Sequence, residues 1–137
     1  MAKIEGGCSC GKVRYSADVE PIFTGFCHCT ACQKTTGSSF SVVVAVPAPA
    51  LTVTGETKTY DSKGDSGQGT HSMFCPNCGS PFAGTADVMQ DVVMLRAGTM
   101  DDPSWLTPAM EIYCDSKMPW VNLSGAFKSF PKMPTMG

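Results

Sequence analysis

The chain has 137 residues, 42% of them hydrophobic and 16% charged, with a net charge of -2 and an isoelectric point near 5.5. That is one domain's worth of chain with enough apolar material for a core, so a disordered segment is excluded. The acidic balance argues against nucleic-acid binding as the main task, because such binding rests on neutralising phosphates. The longest apolar run, residues 42–46, is stopped by Pro47 and falls far short of the ~18 residues that a membrane span needs.

Taken in chain order, short β-branched and aromatic runs recur between turn signals, the pattern of a mainly β domain. Strands are predicted over residues 12–18, 22–27, 40–46, 51–54, 58–61, 70–74, 81–85, 92–97 and 111–114. One helical turn is predicted over residues 30–35, with Thr30 as its cap, and a second short one over residues 102–106. Residues 64–69 read as a flexible glycine-rich loop, and the tail from about Ser129, with Pro131 and Pro134, reads as loosely ordered. No repeat or linker divides the chain, so residues 1–137 are expected to form a single zinc-binding domain.

Eight cysteines are many for this length. The first residues, MAKIEGGCSCGK, carry no basic stretch followed by an apolar one, so a cytoplasmic setting is expected, where thiols stay reduced or bind metal. Seven of the cysteines fall in three tight groups: Cys8 and Cys10; Cys27, Cys29 and Cys32; Cys75 and Cys78. Disulfide frameworks spread cysteines so that each bridge closes a long loop, whereas neighbours two or three apart wrap around one ion. Cys75-Pro76-Asn77-Cys78-Gly79 reads as a zinc knuckle, with Gly79 supplying the positive φ of the turn.

Seven thiols exceed the needs of one tetrahedral ion. The simplest partition joins Cys8, Cys10, Cys75 and Cys78 in a closed structural zinc site and leaves Cys27, Cys29 and Cys32 around a second zinc with one position for an external ligand. Alternatives stay open at this point. Cys114, His28 or His71 can complete the three-cysteine group, although Cys114 on an apolar run also reads as a small buried hydrophobe. Lys34 and Lys117 are candidate partners for an anionic substrate, and Gly37, Ser38 and Ser39 are candidate anion donors or a plain turn. Trp120 is a candidate pocket wall or a core residue.

The series Gly7-Cys8-Ser9-Cys10-Gly11, Cys27-His28-Cys29-Thr30-Ala31-Cys32-Gln33-Lys34, Gly37-Ser38-Ser39-Phe40 and Phe74-Cys75-Pro76-Asn77-Cys78-Gly79 resembles the glutathione-dependent formaldehyde-activating enzyme family, which includes centromere protein V. The likeness continues through Asp115-Ser116-Lys117-Met118-Pro119-Trp120. The resemblance implies folded-over antiparallel sheets of the Mss4-like type and two zincs per chain. It implies structural zinc ligands at Cys8, Cys10, Cys75 and Cys78, and catalytic zinc ligands at Cys27, Cys29 and Cys32. It further implies a carbon–sulfur lyase that joins formaldehyde to a small thiol such as glutathione. Where that family often has a histidine on the late strand, this chain has Glu111, an exchange that bears on the substrate. A non-catalytic, zinc-stabilised protein-binding module is the competing expectation, since thiolate zincs are commonly structural.

Overall fold

The computed structural model describes residues 3–63, 67–125 and 127–134. Twelve short elements carry the architecture. They are β1 (Lys3–Gly7), β2 (Arg14–Asp18), β3 (Phe23–Cys27), α1 (Thr30–Thr36), β4 (Ser41–Pro47) and β5 (Leu51–Thr54), followed by β6 (Lys58–Lys63), β7 (Gly69–Phe74), β8 (Pro81–Ala86), β9 (Met89–Arg96), β10 (Met110–Ile112) and β11 (Lys128–Ser129). They form a three-stranded sheet in the order β1-β2-β5 and an eight-stranded sheet in the order β11-β10-β3-β4-β9-β8-β7-β6. Pairing is antiparallel except that β10 runs parallel to both β3 and β11. The mainly β, mainly antiparallel fold expected from the sequence is therefore present, with a parallel corner added. No helix among the described residues is long and apolar enough to cross a membrane.

The apolar run at residues 42–46 has a physical reason. Strand β4 is central in its sheet and is buried on both faces, so both sets of alternating side chains must be apolar. Val44 and Val46 pack into one core with Ile4, Tyr15, Phe82 and Leu95, drawn from both sheets. Val43 and Ala45 face the opposite way, into a second core with Phe23, Ile112 and the sulfurs of Cys27, Cys29 and Cys32. One strand thus separates the general core from the three-cysteine group.

Several expectations are corrected. The helix runs to Thr36, and its cap is Cys29 rather than Thr30: the Cys29 sulfur accepts the Cys32 N–H at 3.3 Å. Residues 102–106 make a turn, closed by Leu106 N–H on Pro103 O, and not a helix. Pro108 disfavours helical geometry at the residue before it and so blocks propagation. Strand β10 stops at Ile112 because Tyr113 adopts the left-handed region at φ 57. Strand β1 was not foreseen. Its Gly6 lies so close to Tyr15 that a Cβ would meet the phenol oxygen at 2.4 Å, so the position that brings β1 onto β2 carries no side chain. Residues 64–66 of the expected glycine-rich loop lie outside the described residues. Beyond Ser129, Cys114 N–H donates to Phe130 O and Asp115 N–H to Pro131 O, which lays this segment along the turn after β10.

Candidate metal centre

The β1–β2 loop and the β7–β8 turn meet. Cys8 and Cys10 come from the first, Cys75 and Cys78 from the second, and all four sulfurs lie within 4.8 Å of one another. Cys8–Cys10 and Cys10–Cys75 sulfur separations are 3.6 and 3.7 Å. A tetrahedral ion with metal–sulfur bonds of about 2.3 Å, the length zinc takes, has edges of about 3.8 Å. The group therefore fits one tetrahedral cation. The turn that aims the second pair is closed by Gly79 N–H on Cys75 O, with Gly79 at φ 80. The electrostatics favour anionic sulfur at Cys78 and Cys8, whereas the Cys75 thiol moves up: the Cys78 and Asn77 N–H groups lower it, but burial and the Cys8 and Cys78 thiols outweigh them. The Ser80 hydroxyl and the Ser80 and Cys10 N–H groups lower the Cys78 thiol to about 5. At Cys8, burial opposes ionisation, but the Val13 N–H and the neighbouring thiols more than offset it, so its thiol also moves down.

The second group forms where β3 runs into α1. Cys27 ends the strand, Cys29 caps the helix and Cys32 sits in its first turn, all three buried with their sulfurs within 4.8 Å. Among the described residues, no fourth histidine, cysteine or carboxylate joins them. Three thiols this close cannot ionise together without a cation. Contacts with Cys29 and Cys32, then burial, push Cys27 up. Cys29 moves up too, since Cys32 and burial outweigh the favourable contact with Cys27. Cys32 moves the other way, held well down by the other two thiols, which donate to it, and then by Arg96 and Ser41 against the opposition of burial. The Arg96 guanidinium donates through Nη1 to the Cys32 sulfur at 3.5 Å. Each of the two cysteine groups can hold a metal ion.

Neither histidine enters these groups. His28, fully buried between Cys27 and Cys29, turns its ring to Glu111, with Nε2 2.8 Å from Oε2. Ser129 Oγ donates to the other Glu111 oxygen at 2.7 Å, and Lys117 Nζ lies 3.1 Å from Oε2. Burial opposes ionisation of Glu111, yet the bonds from Ser129, Lys117 and His28 prevail and hold its carboxyl at about 2. Cys114 lies beside this pair, its thiol donating to Glu111 O at 3.6 Å. With a lysine ammonium already on the carboxylate, the His28, Glu111 and Cys114 set is an ion-paired knot and not a cation site. It ties the loop carrying Cys27 and Cys29 to β10 and β11. Gln33 adds to it by donating to both His28 O and Ser116 O. His71 sits on β7 between Asp61 and Asp87, which raise its pKa against the opposition of burial.

The three-cysteine group floors an open cleft of about 730 Å³ when the solvent-filled mouth is counted, its surface mostly carbon. Its lining includes Val43, Met89, Met94, Arg96, Tyr113 and Met133, with Thr70, His71 and Ser72 on the far side. Arg96 and the methionines were not singled out from the sequence. Their signal was present as alternation: Met94 and Arg96 share one face of β9, and Arg96 is the Cα partner of Val43 on β4. Lys117 serves Glu111 instead, and Lys34 and Trp120 are exposed away from this cleft. Gly37 at φ 69 caps the helix, and Ser38 N–H donates to Thr36 Oγ1, the plain turn weighed above.

Comparison with curated proteins gives no match. Residues 3–116 match the family model described as "Glutathione-dependent formaldehyde-activating enzyme", a span that holds both cysteine groups, Arg96, Glu111 and Cys114. With that match over most of its length, the chain belongs to the glutathione-dependent formaldehyde-activating enzyme family.

Proposed function

We propose that the chain is a zinc-dependent carbon–sulfur lyase acting on a glutathione-type thiol and a small aldehyde. On this reading Cys27, Cys29 and Cys32 hold the zinc at the reacting centre, and Cys8, Cys10, Cys75 and Cys78 hold a structural zinc. The observation that carries it is the difference between the groups: four sulfurs surround one position, whereas three sulfurs line an open, mostly apolar cleft.

The reaction is R–CHO + R′–SH ⇌ R–CH(OH)–SR′. A carbon–sulfur bond forms, and the thiol proton ends on the former carbonyl oxygen. Zinc bound by three thiolates supplies a borderline-soft Lewis-acid centre that favours thiolate over thiol at neutral pH. The chain's own residues do the rest. Arg96, donating to Cys32, places a fixed positive charge where sulfur must be anionic. The apolar walls limit water around the reacting carbon, so that the thiolate competes with less solvent. Strand β3 and helix α1 fix the three sulfurs, and the buried His28–Glu111 pair braces the loop between them.

The test is the rate of S-(hydroxymethyl)glutathione breakdown with protein carrying two zincs. A rate above the uncatalysed one is expected, lost in Cys29→Ser with the fold retained. A rate equal to buffer with both ions present removes this reaction and returns the chain to a zinc-stabilised binding module.

A further inference from the structure

We propose that the cleft selects a substrate whose aldehyde-derived part is an apolar chain of several carbons, not the single carbon of formaldehyde. The inference rests on the reading of the three-cysteine group as the reacting centre and names the substrate class of that site. Formaldehyde adds one carbon and one oxygen to a thiol and needs almost no room beyond the sulfur. The cleft above Cys27, Cys29 and Cys32 opens to solvent, so its room extends beyond the sulfurs, and the surface it presents is mostly carbon. Met89 and Met94 of β9, Val88 beside them and Met133 from the C-terminal segment converge on it from separate parts of the chain. Val88 is about half exposed, an apolar rim left in water. Unbranched methionines shape themselves to flexible aliphatic ligands and discriminate weakly among their shapes.

The polar groups are few and placed at the ends. Arg96 lies at the floor, with Nη1 on the Cys32 sulfur and a buried Nε that has no partner among the described residues. Gly84 gives its guanidinium space, since a Cβ there would approach Nη2 at 3.3 Å. Of the opposing hydroxyls, Ser62 and Thr70 bond each other at 3.0 Å, and His71 is taken by its two aspartates at the mouth. A polar reacting head therefore belongs at the sulfurs and Arg96, and a carbon chain along the methionine wall.

Two measurements test this. The first is the rate of breakdown of glutathione adducts of formaldehyde, propanal, pentanal and heptanal by the zinc-loaded protein. The second is calorimetric binding of straight-chain alkanethiols from ethanethiol to hexanethiol. Each buried methylene is expected to improve kcat/KM and Kd by about four-fold until the cleft is filled. Met89→Gln keeps the bulk but places an amide in the wall, and it flattens both series. Turnover of the formaldehyde adduct with no gain along the series overturns the assignment. So does a gradient that Met89→Gln leaves unchanged. If no adduct turns over yet thiol affinity still climbs with length and flattens in Met89→Gln, the cleft assignment stands and the lyase reading falls.

Discussion

Glu111 carries more of the architecture than a lone strand carboxylate would. It is 2% exposed, and it joins His28, Lys117 and Ser129 from three parts of the chain. Removing one member of a buried ion pair strands the rest, so Glu111→Ala is expected to cost about 3 kcal/mol in chemical denaturation. Glu111→Gln keeps an acceptor for His28 and should cost less. The carboxyl sits at about 2 in the folded chain against its usual 4.5. Its stabilisation is thus complete above pH 4.5 and is lost as pH falls towards 2. The stability gap between the parent and Glu111→Gln should therefore narrow across that interval in melting curves. A gap that stays constant would mean the charge contributes nothing. His28 shows what composition could not convey. The sequence placed it between two ligands and expected its ring to point elsewhere, but its partner stands 83 positions away.

Among the elements, β10 is the smallest with a large effect. It has three residues, yet it lies parallel to β3 and carries Glu111 against His28. Gly25 allows this approach, since a Cβ there would meet the Met110 carbonyl oxygen at 2.6 Å. Gly25→Ala should push the two strands apart at a cost of about 2 kcal/mol. It should also release metal from Cys27, Cys29 and Cys32 faster than from the other group, as read by a chromophoric chelator. Equal release from both groups would show that β10 does not brace the loop. The strands of the middle of the chain were legible from their β-branched and aromatic runs between turn signals: β4 to β9 fall within a few residues of their expected bounds. Strands β1, β10 and β11 were hidden or misjudged. Their pairing depends on glycine contact and distant partners, which local periodicity does not record.

Across the whole molecule, the four-cysteine group is a strap between the two sheets. Cys8 and Cys10 follow β1 of the small sheet, and Cys75 and Cys78 follow β7 of the large one. Loss of metal there should loosen the contact between sheets, because binding a structural ion is coupled to folding. Cys75→Ser is expected to lower stability by several kcal/mol in thermal melts, and Cys29→Ser by clearly less. Equal losses would remove the distinction between the groups. The clustering of the cysteines was readable in advance because each cluster is local in sequence. The cleft was not, because its walls come from the helix, seven strands and the C-terminal segment, brought together only by sheet order.

The pairing of β3 with β10 also bears on how the chain is made. A ribosome delivers Cys27, Cys29 and Cys32 early, but the strand that braces their loop follows only after Ala109, and the Ser129 hydroxyl later still. At roughly 5–20 residues per second, the nascent thiols wait for several seconds without that support. Cys8 and Cys10 meet their partners sooner, once Cys78 has emerged. The four-cysteine group is thereby complete before the brace on Cys27, Cys29 and Cys32 has been made, and these early thiols are most open to oxidation during translation itself.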